Sequence, residues 1–284
     1  MADKIRIVPG SVQETLIIPL YGRKLCSERF SSLYTDKSAA QLCERLDYDF
    51  SDLEAHASSV SYQFGALEAA MREIDMEWEI RDYLASHPAA AVVNMGCGLD
   101  QTARACDNGS CQMYNVDLPD IIAAREELIV TGDREHNIAA DLNDYAWMDG
   151  VAATDGAIFF AAGVFHYFTE AQAKALVNAL ASRFPGCRIV FDVIGKLGRL
   201  LMRKTFKGFG MENYDECLYV EDPAALDGWC LTASVSTRGY MLGYHNMDDA
   251  CVPGIHRVLA RLCDNVVKMR IVRMDCLIQG DQSV

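Results

Sequence analysis

A series of short apolar runs, each ending in glycine or aspartate, most constrains what this chain can fold into. Ala91-Val92-Val93-Asn94-Met95 runs into Gly96-Cys97-Gly98. Cys111 to Val116 ends at Asp117, His136 to Ala140 at Asp141, and Ala157 to Ala162 at Gly163. An apolar run of this length bounded by turn residues predicts a strand buried on both faces. Helical segments alternate with these runs. Pro119 opens one through Leu128, because proline is tolerated in a first turn. Thr169 and Gln172 form a capping box for another, reaching about Arg183. Pro185-Gly186 stops it, and Cys187 to Ile194 predicts a fifth strand. Strands alternating with helices imply a parallel sheet wound on both sides.

The flanking regions read differently. Residues 1–88 are predicted to be helical, with Leu67, Met71, Ile74 and Trp78 at helical spacing. Glu68 stands four residues before Arg72, as a helix-surface pair does, and His87-Pro88 marks the stop. Residues 196 to about 220 read as an inserted, mostly helical segment. Cys230 to Ser236 and Val266 to Ile278 are the closing strands, with a helix from about Pro253 to Cys263 between them. The expected fold is α/β: a Rossmann-like, doubly wound, mostly parallel seven-stranded sheet. It carries an N-terminal helical cap over 1–88 and a core over 89–284, with an insertion at about 196–246 after the fifth strand. Without repeats or long Pro/Gly/Ser linkers, the chain reads as one cooperative unit.

Composition narrows the function classes. Hydrophobic residues make up 51% of the 284, enough for a sizeable core. A formal charge of −14 argues against nucleic acid as an obligatory partner. The one basic stretch, Arg199, Arg203, Lys204 and Lys207, reads as a solvated helix face. The N-terminal sequence through Leu16 has no apolar run suited to a signal peptide, and no stretch is long enough to span a membrane. The expectation is a cytoplasmic protein with no membrane partner. Eleven cysteines, an odd number with Cys187 and Cys276 in strand-like runs, fit reduced buried thiols. Asn108-Gly109-Ser110 reads as a turn. Cys106 and Cys111 have no second pair beside them, so no metal site is expected.

In open α/β sheets ligands bind beyond the carboxyl ends of the strands. The ends offer Gly96-Cys97-Gly98, Asp117, Asp141 and Gly163 in order. Leu99-Asp100-Gln101 follows the turn, so the third glycine of a dinucleotide fingerprint is missing and a pyrophosphate is disfavoured. A glycine turn still lets backbone approach a nucleoside. Asp117 suits a pair of ribose hydroxyls, since a carboxylate accepts two hydrogen bonds; the bland alternative is an N-cap ahead of Pro119. Asp141 with Leu142 could meet the edge of an adenine, or be an ordinary turn aspartate.

These segments resemble the leucine carboxyl methyltransferase family, which includes the tetracenomycin-type polyketide O-methyltransferases. The resemblance is carried by Val92 through Asp100, Tyr114-Asn115-Val116-Asp117-Leu118-Pro119-Asp120-Ile121-Ile122, Ala140-Asp141-Leu142-Asn143 through Trp147, and Ala161 through Phe168. Upstream, Glu14-Thr15-Leu16 and Arg72-Glu73-Ile74-Asp75 are similar to the family's N-terminal helices. Similarity spans about residues 12–195. It implies a class I methyltransferase that uses S-adenosylmethionine (SAM). On it, Gly96, Cys97 and Gly98 approach the methionine part, Asp117 and Leu118 the ribose, and Asp141 and Leu142 the adenine. Ala162 and Gly163 line the same site, and Arg72 takes the cofactor carboxylate. Two positions depart from the family: Arg104 is a loose counterpart of an arginine after the glycine turn, and Ala162 replaces an acidic residue.

The reaction expected is O-methylation of a small-molecule carboxylate or hydroxyl, polyketide-like or otherwise acidic. A carboxylate is already nucleophilic, whereas a hydroxyl gains from a general base. His166, Tyr167 and His245 are the catalytic candidates; Tyr21, Arg23 and Tyr244, with Arg29, are candidates to line the acceptor pocket. A silent SAM-binding module and an NAD-dependent dehydrogenase are the alternatives, and a homodimer is compatible with the chain.

Overall fold

A computed structural model describes residues 4–6, 15–208, 214–230 and 232–277, and for 204–208 the backbone alone. Glu14, Ile278 and the side chains of Lys204 and Lys207 lie outside what is described. Seven strands form the sheet: β1 (Ala91–Met95), β2 (Gln112–Asp117), β3 (Glu135–Ala139), β4 (Ala157–Ala161), β5 (Arg188–Val193), β6 (Ala233–Gly239) and β7 (Arg270–Cys276). Their spatial order is β3-β2-β1-β4-β5-β7-β6. The first five pair in parallel, and β7 runs antiparallel to both β5 and β6. Every residue of β1, β4 and β5 is buried, which is why these runs are mostly apolar rather than alternating, with Asn94, Arg188 and Asp192 the buried polar exceptions. Edge strand β6 alternates half-buried and exposed residues.

The chain steps outward from β1 to β3, then returns to place β4 on the other side of β1. Order therefore reverses between β1 and β4, and the crevice past their carboxyl ends is where a ligand belongs. Each glycine-bearing turn of interest lies at that crevice.

Four helices precede the sheet: α1 (Ile17–Arg29), α2 (Lys37–Arg45), α3 (Ser51–His56) and α4 (Val60–Ser86). A short parallel pair, Ile5–Arg6 with Leu46–Asp47, ties the first residues to α2, a feature absent from the helical expectation for 1–88. The helices are not a separate lobe. Leu67, Met71 and Ile80 of α4 share a core with Val92, Ile158, Phe160 and Val190, so α4 covers one sheet face. Gly22 of α1 lies against Ala69 of α4, where an added Cβ would come within 3.1 Å of the alanine methyl. Trp78, expected on the apolar stripe, is instead half-exposed and packs edge-on to Tyr244.

The remaining helices are α5 (Thr102–Ala105), α6 (Pro119–Leu128), α7 (Glu170–Arg183), α8 (Lys196–Gly208) and α9 (Gly254–Leu262). α7 covers the opposite sheet face through Ala173, Leu176, Val177 and Leu180, and its capping box forms as the sequence predicts. α8 departs from a plain solvated basic face. Arg199 turns inward to the carbonyls of Asp215 and Cys217, and Arg203 pairs with Asp215 at 2.7 Å. Leu197, Leu200 and Leu201 face solvent instead. None of the described cysteines forms a disulfide, and ten of the eleven are buried. No described helix is long and apolar enough to cross a membrane.

Candidate functional site

The crevice is built from backbone that only glycine adopts readily. Gly96 and Gly98 have φ of +68° and +47°, in the left-handed region. A Cβ on Gly96 would sit 2.5 Å from Val164, and one on Gly98 would sit 2.8 Å from Leu16. The turn is therefore enclosed by the loop after β4 and by the entry to α1. Cys97 between the glycines is buried, and burial pushes its thiol up, so it packs rather than reacts.

Asp117, at the end of β2, accepts from the Gly98 N–H and the Leu118 N–H, both at 2.8 Å. Burial pushes its carboxyl up and the two N–H bonds oppose the push. The two chemical roles expected of it are thus compatible: it anchors the glycine turn and N-terminal end of α6, and each oxygen retains a further lone pair. The Ala140 N–H bonds to the Asp117 carbonyl at 2.8 Å, which brings the end of β3 beside it. There Asp141 is exposed and accepts from the backbone and side-chain amides of Asn143, a turn-forming arrangement, while Leu142 is buried.

Two residues that sequence reasoning overlooked hold this turn. Arg125 of α6 is 1% exposed and donates to the carbonyls of Gly98 and Asp100 at 3.0 and 2.6 Å, and to Glu135 at 3.3 Å. Its signal was an arginine on the apolar face shared with Ile121, Ile122 and Leu128. Asp100 accepts from Asn94, from the Thr102 N–H and hydroxyl, and from Arg23. Arg104, the loose family counterpart, is spent on Glu135 and the Val130 carbonyl.

The other wall centres on Asp192 in β5, also overlooked. One of its oxygens accepts from the Gly163 N–H at 2.6 Å; the other meets His166 Nε2 at 3.0 Å and Arg72 Nη1 at 3.6 Å. Burial alone would raise this carboxyl, but His166, which hydrogen-bonds it, and the Arg72 guanidinium outweigh the burial and hold it down to about 2. A carboxylate two residues from the end of an apolar strand was the available signal. Gly163, with φ of +76°, leaves room for Arg72: a Cβ would lie 2.5 Å from Nη1. Arg72 does not make the surface pair expected with Glu68, which accepts from Cys263 Sγ instead. Ala162 packs against the helix-side core. Tyr167, 39% exposed, bonds the side chain of Thr15.

Other candidates lie elsewhere. Tyr244 donates to Glu79 at 2.6 Å, seven residues beyond Arg72 along α4, or about 10 Å of helix. His245 is exposed in the same loop. The structure does not bring either to the crevice, because the loop after β6 folds down along α4. Tyr21 is buried and stacks on Phe50. The charge of Arg23 is met by Asp36, Glu73 and Asp100, so no cation is left there to select an acidic acceptor. Arg29 is exposed at the end of α1.

A sheet of this order, with a left-handed glycine turn after β1 and a carboxylate ending β2, defines a class I SAM-dependent methyltransferase. The chain belongs to the leucine carboxyl methyltransferase family, whose pattern matches residues 21–181, more than half of its length. It is 30% identical over 195 residues to the tetracenomycin polyketide synthesis O-methyltransferase TcmP of Streptomyces glaucescens, covering 68% of this chain and 69% of that one. It is 24% identical over 242 residues to the SAM-dependent methyltransferase dpfgK of Gibberella zeae, covering 79% and 80%. Among solved structures, a protein of the DUF574 family from Streptomyces avermitilis superposes with a TM-score of 0.58 at 14% identity, covering 81% and 92%. The plantazolicin methyltransferase BamL superposes with a TM-score of 0.51 at 14% identity, covering 94% and 99%. These two likenesses concern the fold.

Proposed function

We propose that the protein methylates an oxygen of a small-molecule acceptor, a carboxylate or a hydroxyl, using SAM held in the crevice between the ends of β1 and β4. The observation that carries this reading is the pair of walls. On one side, the left-handed Gly96-Cys97-Gly98 turn is anchored by Asp117; on the other, Arg72 is seated over Gly163. SAM supplies a methyl already activated on sulfonium, so the protein's task is to bind, orient and exclude water. The left-handed backbone of the turn suits the methionine part, Asp117 the ribose hydroxyls, and Asp141 with Leu142 the adenine. The Arg72 guanidinium suits the cofactor carboxylate, which an arginine fork grips well. Tyr167 and His166 stand at the same crevice and are the residues nearest an incoming acceptor. TcmP is named for an O-methyltransferase role in polyketide synthesis, which supports oxygen as the acceptor atom here.

Calorimetric titration with S-adenosylhomocysteine (SAH), beside NAD, tests the cofactor. The expected result is binding of SAH alone. No binding of SAH, or a preference for NAD, overturns the reading.

A further inference from the structure

We propose that the open edge of β6 pairs with the same edge of a second copy of this chain across a two-fold axis at Ser236, joining the two sheets into one. β6 is the last strand of the sheet and pairs with β7 along its whole length without a bulge. Such an edge presents a row of unpaired N–H and C=O groups, which chains ordinarily guard with lysine, proline or a bulge. Here the strand reads Ala-Ser-Val-Ser-Thr-Arg-Gly. Its one charge, Arg238, is drawn over the rings of Trp78 and Tyr244, at 4.4 and 4.7 Å.

The bonding of β6 to β7 determines which backbone groups are open. The Leu277 N–H bonds the Thr232 carbonyl at 2.6 Å, and the Tyr240 N–H bonds the Met269 carbonyl at 3.3 Å. Antiparallel bonding alternates along a strand, so Ser234, Ser236 and Arg238 bond β7 between those two positions. Ala233, Val235, Thr237 and Gly239 therefore direct their backbone groups away from the sheet. Two of those groups are already used. The Ala233 N–H donates to the Cys230 carbonyl at 3.2 Å, and the Gly239 carbonyl accepts from the Gly243 N–H at 3.0 Å. Among the described residues, no partner meets the N–H of Val235, Thr237 or Gly239, or the carbonyl of Ala233, Val235 or Thr237.

These donors and acceptors complement themselves. With Ser236 on the axis, Val235 lies opposite Thr237 of the partner subunit, and Ala233 opposite Gly239 of the partner subunit. Val235 and Thr237 exchange two bonds on each side of the axis. The Gly239 N–H reaches the Ala233 carbonyl on each side, and the reverse bond is not needed, because both of its groups are paired within their own chain. Every open group is met. A register centred on Val235 or Thr237 leaves some of them open. Side chains agree: Ser236 faces Ser236 of the partner subunit, and Ser234 faces Arg238 of the partner subunit, so no like charges oppose each other. The chain carries a formal charge of −14, yet β6 contains no acid. Trp78, Tyr244 and Arg238 flank the seam, and aromatic residues and arginine are enriched at interfaces. Three strands separate β6 from β1, about 19 Å of sheet, so the seam leaves the crevice untouched.

The test is sedimentation of the whole protein over a range of concentrations, and the expected result is a species of twice the chain mass. Ser236→Lys and Ser236→Glu each set like charges against one another on the axis. Each should weaken self-association at least about tenfold. An equimolar mixture of the two should restore it, since lysine then meets glutamate. Thr237→Pro removes an outward N–H while sparing the bonds to β7, and should leave only monomer. Ser236 is exposed, so its variants keep the fold, as a melting curve checks, and carry the test even where the proline does not. A native protein that stays monomeric, a dimer that the variants leave unchanged, or a Lys–Glu mixture that does not associate overturns the proposal.

Discussion

Asp117 and Gly163 show two ways in which one residue shapes the crevice. Asp117 holds the glycine turn through the N–H groups of Gly98 and Leu118, so its loss removes both a ligand contact and the anchor of the cradle. Asp117→Ala is expected to weaken SAH binding by at least about tenfold through lost charge-assisted hydrogen bonds. Unchanged affinity in a folded variant would show that the ribose is held elsewhere. Gly163→Ala asks for a left-handed alanine, at a cost of about 1–2 kcal/mol, and pushes a methyl into Arg72. Because a guanidinium on a flexible stem can swing aside, the larger effect should fall on SAH affinity rather than on folding. Calorimetry beside a melting curve separates the two. At this scale, Asp117 and the glycines were legible because strand, turn and aspartate follow one another in the chain. Asp192 was not, since its partners Arg72 and His166 come from α4 and from the turn after β4.

The elements show a similar division. β1 and α6 fall where the apolar run and Pro119 place them, and the other strands shift by only a residue or a few. Local signals suffice there: buried parallel strands are continuous apolar runs, and caps are short motifs. Edge strand β6 lies within the stretch read as an insertion, about 196–246, and begins three residues beyond the start of the expected closing strand Cys230 to Ser236, because its half-buried alternation gives a weak signal for its bounds. Helix α6 also has a task its sequence does not announce. Its Arg125 joins the glycine loop to Glu135 of β3 while almost fully buried. Arg125→Met would keep the apolar stem but leave two carbonyls and part of a buried carboxylate unmet. A loss of about 3 kcal/mol in urea unfolding is expected, as for a broken buried pair. A loss indistinguishable from zero would mean that Arg104 alone satisfies Glu135.

Across the whole molecule, α4 concentrates acids that burial disfavours as anions. Burial pushes Glu68 and Glu73 up to about 7, and Asp75, which also faces Asp264 and Glu79, up to about 9. One Asp75 oxygen has no hydrogen-bond partner. Unfolded, these carboxyls would ionise near 4. Between that value and the folded one, the unfolded chain binds fewer protons than the native protein, so their contribution to stability falls as pH rises. The contribution is complete below about pH 4 and is lost through about 7 for the two glutamates and about 9 for Asp75. Asp75→Asn should therefore raise the melting temperature, with a gain that widens as pH is raised from about 5 to about 8. A gain that does not change with pH would show that Asp75 is ionised in the native protein.

The sequence by itself determined the α/β winding, the order of strands and helices through β5, the glycine turn and the acidic strand ends. Each depends on residues adjacent in the chain, where periodicity, capping and turn chemistry act. Only the tertiary structure decided which charges are free to serve a ligand. Arg23 is surrounded by carboxylates from three segments, Arg104 is held by Glu135, and Tyr244 is drawn along α4 to Glu79. Arg72 and His166 instead converge on Asp192 at the crevice. The reason is physical. A buried charge must find an opposite partner wherever packing places one, and which partner is near depends on how helices and strands stack, information that no local pattern contains.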